Sequence, residues 1–289
     1  MPSQPTSSCC QRELRPVLAN ARLRVGACSV CGILWGEHEK RPDGRPWDES
    51  YVPAEFAKVL RQRREVQART IAAELQRQAV PTPILDYGTG QGVLLAELRR
   101  RGVDAYGCDL DLNARDSVAP RDRLLQVHEP WGMPREQARD GAFRTLVMLD
   151  VLEHHHDPVA FLRALPFEHV LLKLPNATGP AARLARLLAR RGRTGLLEQL
   201  FLVGENFPHR WLATRPGARA VATAAGYDVV RQACLTEVGT ELPARMRGAS
   251  GKPFAKLVLW GAGLGLGLVG PWWSDASVVL LRRRRVPTG

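Results

Sequence analysis

Several things are scarce in this chain, and each scarcity removes a class of protein. Aromatic residues make up only 6% of its 289 positions. None is interleaved with the basic run Arg282 to Arg285, so that run reads as a solvated strand end and not as a base-stacking platform for nucleic acid. The opening stretch MPSQPTSSCCQRELRP has no apolar core of the kind a signal peptide needs. Six cysteines without such a segment lead us to expect a reducing, cytoplasmic setting with no disulfide framework. The longest apolar run, LVLWGAGLGLGLVGPWW from Leu257, is glycine-rich and short of a bilayer span, so we expect it to be buried or interfacial. Internal repeats and low-complexity tracts are absent as well.

What is present is size, basic charge and a regular pattern. With 45% apolar residues the chain can bury one substantial domain and an appendage. Its formal charge of +12 is carried mostly by arginine spread along the sequence. Solvated basic faces account for that distribution, and attraction to phosphorylated substrates, anionic lipid or nucleic acid is the sharper alternative.

Composition divides the chain into three. Residues 1–50 are rich in Cys, Pro and Gly and lack helical periodicity. Residues 51–80 read as a helical linker or lid, with Phe56, Val59 and Leu60 at i, i+3 and i+4 and a break at Val80 to Pro83. From residue 81 to 289 short apolar strands alternate with helices. Strands are expected at Ile84–Tyr87, Val103–Asp111, Arg123–His128, Phe143–Asp150, His169–Pro175, from Tyr227, and at Ala276–Arg283. That alternation implies an α/β fold, a doubly wound sheet covered by helices on both faces. A helical insertion at 177–208 interrupts it. Within the insertion Arg183, Arg186, Arg190 and Arg193 form one stripe, and Leu184, Leu187 and Leu188 are expected opposite.

The stretch ILDYGTGQGVLLAEL places Gly88, Gly90 and Gly92 where a strand hands over to a helix. Glycine there signals a sharp turn or the close approach of a ligand, and in such sheets ligands bind beyond the carboxyl ends of the strands. A dinucleotide fingerprint would require glycine at position 93, which is Val93, and no Gly-Lys-Ser/Thr follows to make a P-loop.

Taken with GCDLD, FRTLVMLDVLEHHHDP, LLKLPN and AAGYDVV, in that order and at fitting spacings, this stretch resembles the class I S-adenosylmethionine-dependent methyltransferases, from about Tyr51 onward. The resemblance implies a Rossmann-like seven-stranded sheet with an antiparallel last strand, S-adenosylmethionine as cofactor, and methyl transfer to a small-molecule acceptor. The glycines at 88, 90 and 92 would admit the methionyl part, and the following helix would offer its N-terminal N–H groups to the carboxylate. Asp109 would accept the ribose hydroxyls, and Asp86 would lie beside the cofactor's ammonium group. Glu129 and Trp131 are the candidates near adenine.

By the same analogy Asp150, Glu153 and His154 leave the fourth strand towards the methyl group. His154 is the first candidate for the base that deprotonates an acceptor hydroxyl, and His209 the second. His155 and His156 are expected on the turn or the surface, since three consecutive side chains cannot face one pocket. Metal-assisted transfer at this histidine run is a minor alternative. Asn176 either orients the acceptor or makes a turn. An acceptor oxygen in a metabolite, sugar or lipid-linked compound is favoured, with peripheral membrane contact in the lipid case. The alternative from another class is a non-catalytic protein on this fold that binds nucleic acid or membrane through its basic surface.

The N-terminal region carries Cys28-Ser-Val-Cys31-Gly, a spacing suited to zinc, with Cys9 and Cys10 upstream. RLRVGACSVCGILW resembles the second half of the small zinc-binding module that precedes some methyltransferases, including sugar methyltransferases. The first half departs from it, because Cys9 and Cys10 are adjacent. The readings are a distorted structural zinc knuckle, a site in which His38 or another side chain replaces a lost ligand, and a metal-free remnant.

Overall fold

The computed structural model describes residues 9–11, 13–38, 54–110, 112, 120–134, 142–205, 207–235 and 276–285, with side chains of the first helix from residue 61 onward. The apolar run at 257–273 and the helix residues Phe56, Val59 and Leu60 therefore lie outside what is described of side-chain structure.

Where the sequence shows no helical periodicity, three strands form: β1 (Leu14–Ala19), β2 (Leu23–Cys28) and β3 (Leu34–His38). Then come α1 (Ala54–Arg77), β4 (Ile84–Tyr87), α2 (Val93–Arg100), β5 (Ala105–Asp109), β6 (Leu124–Gln126) and β7 (Thr145–Leu149). They are followed by α3 (Pro158–Ala164), β8 (His169–Pro175), α4 (Pro180–Ala189), α5 (Gly195–Leu200) and β9 (Trp211–Leu212). The chain finishes with α6 (Arg215–Ala224), β10 (Tyr227–Leu235) and β11 (Ala276–Arg283).

The main sheet has seven strands in the order β10-β11-β8-β7-β4-β5-β6. The pairs from β8 to β6 are parallel, and β11, the last strand, runs antiparallel between β8 and β10. Strand order therefore reverses at β4 and β7, the place where such sheets take ligands. Alternate residues face opposite layers. Leu85, Met148 and Leu172 pack with Leu162 of α3 and Val221 and Ala222 of α6. Ile84, Val147 and Leu171 pack with Ile71 and Leu75 of α1 and Leu95 and Leu98 of α2. Burial on both sides is why these strands read as unbroken apolar runs.

A second, antiparallel sheet has the order β1-β2-β3-β9. Its fourth strand comes from far along the chain, with Leu34 opposite Leu212 and Trp35 opposite Trp211. The two tryptophan rings lie 5.9 Å apart. The helices of the insertion cover this sheet through Ala185, Leu197 and Phe201 against Leu23, Val25 and Leu34. One expectation fails here. The buried face of α4 is Ala182 and Ala185, while Leu184 and Leu187 are 50% and 45% exposed beside exposed Arg183 and Arg190. Small residues let the helix lie close to its neighbours, and that leaves the longer leucines outside.

Candidate cofactor and acceptor site

The loop joining β4 to α2 holds Gly88, Gly90 and Gly92 at φ of 74°, 52° and 74°. These left-handed conformations are ones that side-chain-bearing residues rarely adopt. Gly88 has a second reason to be glycine, because a Cβ there would meet Val151 Cγ2 at 2.7 Å. Among the described residues a Cβ on Gly90 would meet nothing within 4 Å, so the loop presents an open face at its middle. Gly92 caps α2 without a side-chain bond, leaving the first N–H groups of the helix available to an anion.

Two carboxylates frame this loop. Asp109 ends β5, and its Oδ2 accepts the Gly90 N–H at 2.7 Å. Asp86 is buried at 3% exposure and accepts the Thr89 hydroxyl at 2.7 Å. Burial, reinforced by nearby Asp109, raises Asp86 to about 7 despite the bond from Thr89. Glu129 is exposed, whereas Trp131 packs 4.6 Å from the His155 ring and 5.6 Å from Phe161. The Tyr87 hydroxyl donates to the Gly132 carbonyl at 3.0 Å and pins this corner.

The end of β7 is organised differently. Asp150 takes a φ of 57°, and its Oδ2 meets Lys173 Nζ at 2.5 Å. The Lys173 charge and hydrogen bond hold its carboxyl below the usual range. A one-turn 3₁₀ helix at Leu152–His154 follows, and the chain around residue 209 is laced to it. Arg210 N–H donates to the Glu153 carbonyl at 2.7 Å, and Trp211 Nε1 to the Leu152 carbonyl at 3.2 Å. His154 Nδ1 lies 3.2 Å from the Pro208 carbonyl, and His209 Nδ1 lies 2.7 Å from that of Leu200. The two imidazoles are 5.0 Å apart. Burial lowers His154, and burial together with His154 lowers His209 to about 4.

His154 and His209, named from separate motifs, are thus brought together, with Asp150 beside them. His155 stacks on Phe161 and accepts the Asp157 N–H, and His156 is exposed, as the spacing argument requires. Asn176 makes a turn, with its Oδ1 accepting from Thr178. Sequence reasoning misses Lys173, although a lone lysine in the run LLKLP, 2% exposed in the fold, is its signal. The burial of Glu153 under residue 210 has no sequence signal.

All four N-terminal cysteines converge. Cys9, Cys10, Cys28 and Cys31 place their sulfurs within 4.8 Å of one another, with Cys9 and Cys31 at 3.3 Å. A tetrahedral zinc site with bonds of about 2.3 Å sets its sulfurs about 3.8 Å apart, so the set fits that ion. His38 plays no part, since its Nε2 lies 2.7 Å from the His209 carbonyl. Burial and the Cys31 contact push the Cys10 thiol up to about 12. The knuckle is anchored to the main domain, because Thr214, the cap of α6, donates to the Cys31 carbonyl at 2.5 Å.

Residues 59–232 match the family model described as "Methyltransferase domain". No curated protein matches the chain. A solved chain from the complex containing the Haloferax volcanii Trm112 methyltransferase activator is 13% identical, covering 81% of this chain and 97% of its own, at a TM-score of 0.53. Magnesium protoporphyrin IX methyltransferase from Synechocystis PCC 6803, with bound SAH, is 14% identical over 79% of this chain and 87% of its own, at a TM-score of 0.47. At 13% identity the likeness to the Haloferax chain is one of fold alone.

Proposed function

Because the chain belongs to the methyltransferase-domain family, among the class I S-adenosylmethionine-dependent methyltransferases, we propose that it transfers the cofactor's methyl group to an oxygen of a small-molecule acceptor held beyond the end of β7. The observation that carries this is the open face at Gly90, framed by Asp109 on one side and the uncapped start of α2 on the other.

In this reading Gly88, Gly90 and Gly92 let the methionyl chain lie against the backbone, and Asp109 takes the ribose hydroxyls. Asp86, poised at about 7, ionises fully when the cofactor's ammonium arrives beside it. The acceptor oxygen attacks the sulfonium methyl group. The new O–C bond forms as the C–S bond breaks, its electron pair returns to sulfur, and the hydroxyl proton leaves to the surroundings. Holding the two reactants in line supplies much of the rate. His154 and His209 are the proposed catalytic residues, serving to lower the cost of removing that proton. Asp150, tied to Lys173, positions the turn that carries them.

A hydroxyl of a lipid-linked compound or a sugar is the proposed acceptor class. Leu184 and Leu187, exposed among arginines on α4, support the lipid-linked version, since that face suits an anionic bilayer surface. Among the described residues no helix is long and apolar enough to cross a membrane. The cysteine cluster is proposed to hold a structural zinc ion.

Calorimetric titration with S-adenosylmethionine and S-adenosylhomocysteine, on the native chain and on Asp109→Ala, tests the reading. Saturable binding that the substitution removes is the expected outcome. A folded native protein that binds neither compound would sink the enzyme reading.

A further inference from the structure

Glu153 is a fully buried carboxyl group, at 0% exposure, and among the described residues neither of its oxygens has a hydrogen-bond partner. An isolated buried carboxylate costs several kcal/mol unless something pairs with it. Its Oε1 points at His209 Nε2, 3.9 Å away. Ligand atoms of Glu153, His154 and His209 all lie within 4.8 Å of one another.

The hydrogen-bond pattern says which electron pairs meet here. Pro208 and Leu200 offer carbonyl oxygens to the Nδ1 atoms of His154 and His209. A carbonyl can only accept, so each ring carries its proton on Nδ1 and keeps Nε2 as an electron-pair donor. Two imidazole rings and a carboxyl group therefore converge. Backbone carbonyls that fix the far nitrogen are the usual outer shell of metal-ligating histidines.

The geometry points to a divalent transition-metal site formed by Glu153, His154 and His209, whose ion binds the acceptor's oxygen and stabilises it as an oxyanion during methyl transfer. This deepens the reading given above and rests on it for the identity of the reaction. Two imidazoles and one carboxylate suit ions such as Mn²⁺, Fe²⁺, Co²⁺ or Zn²⁺ and leave coordination positions for an outside oxygen. Cis ligands of an ion bound at about 2.0–2.2 Å lie about 3 Å apart, so binding draws the three groups together by roughly one to two ångströms. The proton of the coordinated hydroxyl passes to solvent, and the oxyanion attacks the sulfonium methyl group with the electron flow already described.

The test uses Mn²⁺ as probe, because a hard ion avoids the thiolates of the cysteine cluster. Full-length protein is stripped with chelator and titrated with Mn²⁺, with free ion followed by its paramagnetic resonance signal and unfolding followed by temperature. We expect the native chain to retain one ion and to melt higher when loaded. Glu153→Gln should lose both effects, while melting in chelator close to the native chain, since the amide keeps the shape of the buried carboxyl group and adds no charge. His154→Gln gives the same metal readout should Glu153→Gln fold poorly. A native chain that leaves the Mn²⁺ signal and its melting temperature unchanged at millimolar metal overturns the proposal, as does retention undiminished in both variants. Cofactor titration in chelator separates the two claims. Cofactor binding without Mn²⁺ retention removes only the ion, whereas loss of cofactor binding in the native chain removes the enzyme reading beneath it.

Discussion

The loop between β4 and α2 is written in one stretch of ten residues and is tied chiefly to the adjoining β5, where Asp109 accepts the Gly90 N–H and the Cys108 carbonyl accepts those of Gly88 and Thr89. The turn after β7, by contrast, is finished by Lys173 from β8, by Arg210 and Trp211 from the far side of the insertion, and by β3, which pairs with β9. The first region depends on local backbone conformation. The second depends on the small sheet staying docked, since His38 of β3 also contacts the His209 carbonyl. Damage to the small sheet should therefore reach the acceptor side and spare the cofactor side.

The largest effect that would sharpen this contrast comes from the cysteine cluster. Cys31→Ser, or removal of its proposed zinc, is expected to cost on the order of 3–5 kcal/mol of stability. Hydrogen exchange should quicken in β1–β3 and β9, while cofactor affinity changes by less than about threefold, as befits a distant site. Equal acceleration through β4 and β5 would break the comparison.

Next in size is the Asp150–Lys173 pair. Asp150→Asn keeps a residue that tolerates positive φ. It also removes the carboxylate that faces the ammonium of Lys173, whose side chain is 2% exposed. The Asp150 side chain is 50% exposed, so solvent screens part of the loss. Breaking a fully buried pair costs about 3–5 kcal/mol, and with that screening we expect about 2–3 kcal/mol, measured by denaturant unfolding. An unchanged stability would mean that the acceptor turn is held by its links to residues 208–211 alone.

The same contrast explains what could be read in advance. The glycine loop and the places of the strands follow from patterns a few residues long, in which apolar runs, glycines and terminal acids sit side by side, and the antiparallel last strand follows from the family resemblance those patterns carry. Asp86, Asp109, His154 and His209 can all be named from motifs. Their partners cannot: nothing in VLEHHHDP shows that Glu153 is covered by residue 210, because that contact joins segments more than fifty positions apart. The adjacent Cys9 and Cys10 likewise leave the ligand set open, and folding of the small sheet closes it. The leucines of α4 are misplaced because periodicity identifies an apolar stripe but not whether a smaller alanine stripe wins the buried side.

Within the cofactor loop two neighbouring glycines separate stability from binding. Gly88→Ala forces a side chain into a left-handed conformation, which costs about 1–2 kcal/mol. It also drives the new Cβ against Val151 on the acceptor turn. Gly90→Ala carries the conformational cost alone, since its Cβ meets nothing within 4 Å among the described residues. Thermal unfolding should show the larger loss for Gly88→Ala. Calorimetry should show Gly90→Ala weakening S-adenosylmethionine by more than its stability cost implies, because the new methyl group occupies the cofactor's place. A Gly90→Ala protein that binds cofactor normally would put the ligand elsewhere.

The smallest effect on stability is expected on α4, where it discriminates most sharply between a solvated face and a docking face. Leu184 and Leu187 are about half exposed, so replacing both by serine removes little buried area. The change should stay within about 0.5 kcal/mol per site. The flanking Arg183 and Arg190 remain in place. If the face lies on an anionic bilayer, the double substitution should lower co-sedimentation with phosphatidylglycerol vesicles while leaving that with neutral vesicles unchanged, because the apolar contribution is lost after the charges have brought the surfaces together. If the leucines merely tolerate water, vesicle binding should be unaltered, and the lipid-linked acceptor would lose the observation that favours it over a soluble sugar.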